Sequence, residues 1–180
     1  MEFFIRTITV ITSLVFLAAL NIVISYILPY PWSKINIIFL ILIIIMMWRD
    51  SGLTVWINFF SYFIIELYSV TPFGILLFSS TLGILLIFWF YKIFFTNRSW
   101  YSAMVLSGFA IFFYRLIYTI SLILLNLFGF IEMVPWELLV VTFLWEFIFT
   151  VPTTGVVYFI LSKLFKTLKS SSLEQGLFRV

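Results

Sequence analysis

The stretch IIELYSVTPFG, residues 64–74, sets a carboxylate, Glu66, just ahead of a Thr71-Pro72-Phe73-Gly74 turn in a chain that is otherwise almost continuously apolar. Proline removes a helical hydrogen-bond donor and glycine adopts backbone shapes that other residues avoid, so one apolar run ends here and another begins. Thr71 can cap the incoming helix and Pro72 can occupy its first turn, so the chain folds back within a few residues. Gly74 lets the two backbones approach closely. The reading is a helical hairpin. Its carboxylate needs a reason, because an ionisable side chain at membrane depth is expensive unless it is paired or functional.

Working outward, the whole chain of 180 residues is 64% hydrophobic and 9% charged, with 24 phenylalanines and a mean hydropathy of +1.25. Soluble domains carry about 25% charged residues. The composition therefore predicts an all-α integral membrane protein with one compact domain. Crossing a hydrocarbon core takes around 20 apolar residues, with a range of roughly 17 to 25. Six stretches qualify or come close: residues 7–28, 35–48, 53–68, 72–95, 100–127 and 138–161. The first ends at Pro29-Tyr30-Pro31-Trp32, a helix breaker with interfacial aromatics. Its apolar run is longer than the roughly 7 to 15 residues of a signal-peptide core, so it is expected to be retained as the first helix.

With six spans, Arg6, Arg49, Lys92, Arg98, Lys163, Lys166, Lys169 and Arg179 fall on one side, and Lys34 with Glu132 and Glu137 on the other. The positive-inside rule then puts both termini in the cytoplasm. Residues 1–161 form the expected six-helix membrane domain and 162–180 a basic tail. In that tail Leu161, Leu164, Phe165 and Leu168 recur at helical spacing, with Lys163, Lys166 and Lys169 towards the other face. Such a segment lies along the inner membrane surface, as an anchor on anionic lipid or as a docking helix for a partner. The last residues, 170–180, read as a short mobile tail.

Several chemistries are excluded by what the chain lacks. With no Cys and no His there are no disulfides, thiol nucleophiles, imidazole acid/base groups or common transition-metal ligand sets, and no metal or cofactor is expected. The net charge of +3 is scattered over loops and tail, which gives no nucleic-acid groove.

Three ionisable residues fall deep inside the expected spans: Glu66, Arg115 and Glu146. Counted at about 1.5 Å per residue from the cytoplasmic ends of their helices, all three lie roughly 20 to 22 Å in. A guanidinium offers five donors, so a shared cluster relieves the cost of burying each charge. An Arg115–Glu146 pair with Glu66 near enough to contribute is expected, serving either as a brace or as a polar site for a solute or partner. Ser99, Ala103, Ser107 and Gly108 give the fifth helix a small-residue face, for packing within the chain or for dimerisation. Pro152, flanked by Thr150, Thr153, Thr154 and Gly155, marks a bend in the sixth helix whose freed carbonyl the threonine hydroxyls can satisfy.

Written as spacing, the opening stretch is Glu66-x-x-Ser69-x-x-Pro72-x-Gly74. It resembles the acidic-x-x-Ser-x-x-Pro-x-Gly hairpin of the rod shape-determining protein MreD family, with Glu66 in place of the usual Asp and Tyr62 where a small residue is common. The Pro-Trp loop after the first helix, Gly52 before the third, and the last helix running into a basic segment are similar too. The resemblance implies a bundle like the S components of energy-coupling-factor transporters. It also implies a non-enzymatic role in the bacterial inner membrane, within the elongation complex that builds peptidoglycan and sets cell shape. Partners would be the MreC protein, the filament protein MreB and peptidoglycan synthases. The alternative is that of the S components themselves, membrane capture of a small solute. An intramembrane enzyme using Glu66 and Glu146 as acid and base is the third class, and the residues around them supply no nucleophile for it.

Overall fold

The computed structural model describes the backbone of residues 2–48, 52–94, 99–131 and 134–177, with side chains for residue 12 and for 14–164 within those ranges. Six helices follow one another: α1 (Glu2–Ile27), α2 (Ile37–Trp48), α3 (Leu53–Leu67), α4 (Ile75–Phe94), α5 (Trp100–Leu127) and α6 (Trp136–Leu177). A short 3-10 turn at Trp32–Lys34 separates α1 from α2. Among the described residues, three helical stretches are long and apolar enough to cross a membrane, Ile75–Phe94, Trp100–Leu127 and Trp136–Leu164, and Ile37–Trp48 and Leu53–Leu67 are shorter. The chain is a helical membrane protein. Phe16, Trp56, Phe60, Trp89, Phe112 and Leu144 lie exposed on its outside, as a lipid-facing surface requires.

Helix α2 is short and lies inside the bundle. Its sequence, IIFLILIIIMMW, is apolar on every face, which suits a helix surrounded on all sides. Ile38, Phe39, Leu42, Ile43, Met46 and Met47 are fully buried, and α2 packs against α1, α3, α5 and α6. It is the centre of the bundle. The most extensive packing joins α4 to α5 and α5 to α6. At the first crossing, a Cβ added to Gly83 would stand 3.3 Å from the Tyr114 Cα; at the second, one on Gly155 would stand 2.5 Å from the Met104 Cγ. Gly83 thus stands where the α5 backbone comes close, and Gly155 where the Met104 side chain does. Of the small-residue face expected on α5, Ala103, Ser107 and Gly108 are buried within the chain, Gly108 beside Phe147 and Val151 of α6. Ser99 belongs to no packing face: it is the N-cap of α5, its hydroxyl accepting from the Ser102 N–H at 3.2 Å.

Helix α6 differs from expectation twice. Thr153 donates to the carbonyls of Phe149 (2.6 Å) and Thr150 (2.9 Å), and Thr154 donates to Thr150 (2.7 Å). The hydroxyls thus serve carbonyls one and two residues beyond that of Ile148, the one that Pro152 leaves without its usual donor. The helix also continues through residue 161 to Leu177 without a break, so the expected tail is its extension. No proline or glycine occurs between Gly155 and Gly176 to stop it. Lys163 is exposed, with its Nζ 4.6 Å from the Phe159 ring centre, whereas the side chains of Lys166 and Lys169 lie outside the described residues.

Candidate functional site

Helix α2 starts inside the bundle, and a buried helix start must find partners for its first N–H groups. Asn36, immediately before it, supplies them. Its Oδ1 accepts from the Phe39 N–H at 3.2 Å as an N-cap, while Asn21 on α1 accepts from the Ile37 N–H at 3.2 Å. The Asn36 backbone N–H donates to the Thr150 hydroxyl on α6 at 3.0 Å. Its carboxamide nitrogen then reaches outward, donating to the Tyr62 hydroxyl on α3 and to Glu146 Oε1 on α6, both at 2.8 Å.

Glu146 completes this network with its other oxygen. Oε2 takes both Arg115 Nε and Arg115 Nη2 at 2.5 Å, joining α5 to α6 as the spacing predicted. Arg115 also lies over the rings of Tyr114 and Tyr118, 5.3 and 5.8 Å from their centres. The rings of Phe39, Tyr62 and Tyr114 meet pairwise at 5.3 to 5.8 Å and close the network on its inner side. Side chains from α1, α3, α5 and α6 thus converge on Asn36, at the start of α2. Since both oxygens of Glu146 are engaged, the carboxylate is spoken for.

Glu66 stands outside this arrangement, which corrects the expected three-charge cluster. Its Oε1 accepts from the backbone N–H of Gly74 at 2.7 Å and of Leu76 at 3.0 Å, capping the start of α4 from the preceding helix. Its Oε2 is buried without a hydrogen-bond partner, so no bond links it to Arg115. Counting residues gave the height of each charge but not the direction in which it points, and heights alone do not make a cluster. The caps expected within the hairpin change accordingly. Helix α4 begins at Ile75, after Pro72; Thr71 turns back to Ser69, the two hydroxyls 2.7 Å apart and the Thr71 N–H donating to Ser69 Oγ at 3.2 Å. Gly74 has φ +101 and nothing within 4 Å of an added Cβ, so its role is a left-handed backbone and not close approach. Phe63 and Phe73 clasp the hairpin edge to face, with ring centres 6.1 Å apart.

Two further features complete the polar inventory. Asn58, Ser61 and Thr81, on α3 and α4, carry buried polar atoms with no hydrogen-bond partner among the described residues. Along the other side of the molecule, α5 and α6 leave an apolar groove whose wall includes Arg115, Phe112 and Gly108. Sequence reasoning missed Asn36, although an Asn directly before an apolar run and after a Pro-rich turn is a legible helix start. Tyr62 and Asn21 carried no signal of their own, because a lone polar group on an apolar helix is located only by what it meets. No family model, curated protein or solved structure matches the chain.

Proposed function

We propose that the protein is a non-enzymatic scaffold of a bacterial cell-elongation complex, spanning the inner membrane six times with both termini in the cytoplasm. The observation that carries this reading is the α3–α4 hairpin. Its spacing resembles that of the MreD family, and here Glu66 caps α4, Ser69 holds the turn through Thr71, and Gly74 takes a left-handed backbone. On this reading the Glu66 carboxylate acts as a fold determinant. The same holds for Glu146, whose two oxygens are committed to Arg115 and Asn36. Polar groups turned to internal bracing and an apolar outside fit a protein that works by its surfaces. The partners of this reading are the lipid bilayer, an MreC-like membrane protein and other elongation-complex proteins.

The test is purification of the tagged chain from its native membrane in gentle detergent, with the associated proteins identified. Recovery of an MreC-like protein, together with rounding of cells depleted of the chain, is the expected result. Recovery of an ATPase with its membrane coupling subunit sinks it.

One observation favours the second reading, an S-component-like protein that captures a small solute. Asn58, Ser61 and Thr81 carry buried hydrogen-bonding atoms that a polar solute could satisfy. Saturable binding of a small solute by the purified chain, lost in Asn58→Leu, would decide for it.

A further inference from the structure

The groove between α5 and α6 runs from Met104 and Val151 at one end to Thr119 and Trp136 at the other. Its ends lie about fifteen residues apart along each helix, about 22 Å at helical rise. It consists of two hollows of about 310 and 510 Å³ that meet at Phe112. Its walls are apolar except near the middle, where Arg115 enters.

The ion pair behind that wall is lopsided. The Arg115 side chain is 18% exposed and that of Glu146 5%, so the groove meets the guanidinium while the carboxylate faces inward. Nε and Nη2 are bound to Glu146, whereas Nη1 makes no hydrogen bond among the described residues. An N–H pair on a cation, in a medium without water, draws an acceptor.

We propose that this groove seats one transmembrane helix of a partner protein, which carries a hydrogen-bond acceptor near its midpoint that Arg115 receives. A phospholipid places its polar groups at the interface and only hydrocarbon at this depth. A helix can present a carboxylate, amide or hydroxyl at any point along its length. The donor stands about midway along the groove, and the stripe covers about two-thirds of the apolar part of a spanning helix, so the helix fits both features. This deepens the scaffold reading, on which it rests for the existence of such a partner.

The absence of cysteine from the chain allows a clean test. A benzophenone is attached to V140C or V105C in the full chain, both in exposed positions along α6 and α5, or to L85C, exposed on α4, as control. The labelled chain is placed in phosphatidylcholine vesicles with one of three synthetic polyleucine peptides: Asn at the centre, Asn six residues off centre, or Leu throughout. Photocapture of the centred peptide at residues 105 and 140 is expected to exceed that of the other two by roughly three- to tenfold, the range of one interhelical hydrogen bond. No such preference is expected at residue 85. Equal capture of all three peptides, as for a groove that merely holds lipid, overturns the proposal, as does equal preference at residue 85. The expected preference, found for a chain that brings no elongation-complex protein out of its native membrane, sinks the scaffold reading and leaves the seat. Loss of preference in a chain that does bring one out sinks the seat alone.

Discussion

Glu66 and Glu146 are both buried carboxylates, counted to nearly the same height in the bundle, and they are held in opposite ways. Glu146 is stabilised by a charge: Arg115 binds one oxygen, and Asn36 the other. Glu66 is stabilised by backbone: two amide N–H groups at the start of α4 bind one oxygen, and the second has no hydrogen-bond partner. The first ties α5 and α6 to the start of α2, far away in sequence, and the second fixes a turn between neighbours. A carboxylate in an apolar chain thus has at least two structural uses, and the partner it faces tells them apart.

The largest effect expected is from breaking the ion pair. Arg115→Leu leaves Glu146 buried without its cation and should destabilise the protein by about 3 to 5 kcal/mol, measured as reversible unfolding in mixed micelles. Glu66→Ala removes two charge-assisted hydrogen bonds and is expected to cost about 2 to 3 kcal/mol. Glu66→Gln keeps an acceptor for both N–H groups and should cost about 1 kcal/mol. If Glu66→Gln is as damaging as Glu66→Ala, charge and not capping is what the hairpin needs, and the contrast between the two carboxylates narrows. Asn36→Ala bears on the other side of the comparison. It uncaps α2 and frees Glu146 Oε1, for an expected loss of about 2 kcal/mol. Gly74→Ala should cost about 1 to 2 kcal/mol for a left-handed backbone with open space around it, and it should respond to Glu66 variants more than to Arg115 variants.

How far the sequence leads can be seen at particular residues. The limits of α5 match the expected span 100–127, which begins after the polar stretch Thr96-Asn97-Arg98-Ser99 and ends before Phe128-Gly129, whereas the capping role of Ser99 was not read from the sequence. The start of α4 was not: Pro72 is acceptable in a first turn, and only the reach of Glu66 from α3 moves the start to Ile75. The Arg115–Glu146 pair followed from scarcity, since a lone buried Arg has few partners available. The exclusion of Glu66 from it did not, because helical rise fixes height while packing fixes direction. Asn36 was legible in principle as a cap. Its further reach to Tyr62 and Glu146 depends on α2 lying at the centre, which no local pattern shows. The role of Gly83 was hidden for the same reason, since its neighbour is Tyr114 on another helix.

The distinction between the two carboxylates is tested most directly by a pair of double-mutant cycles. Arg115→Leu is combined with Glu146→Leu in one and with Glu66→Leu in the other, and unfolding free energies are compared. In the first cycle the double variant should recover much of the loss, with a coupling of about 2 to 3 kcal/mol, while in the second the losses should add to within about 0.5 kcal/mol. Equal coupling in the two cycles would mean that Glu66 shares the guanidinium after all, and would contradict the separation of brace from cap.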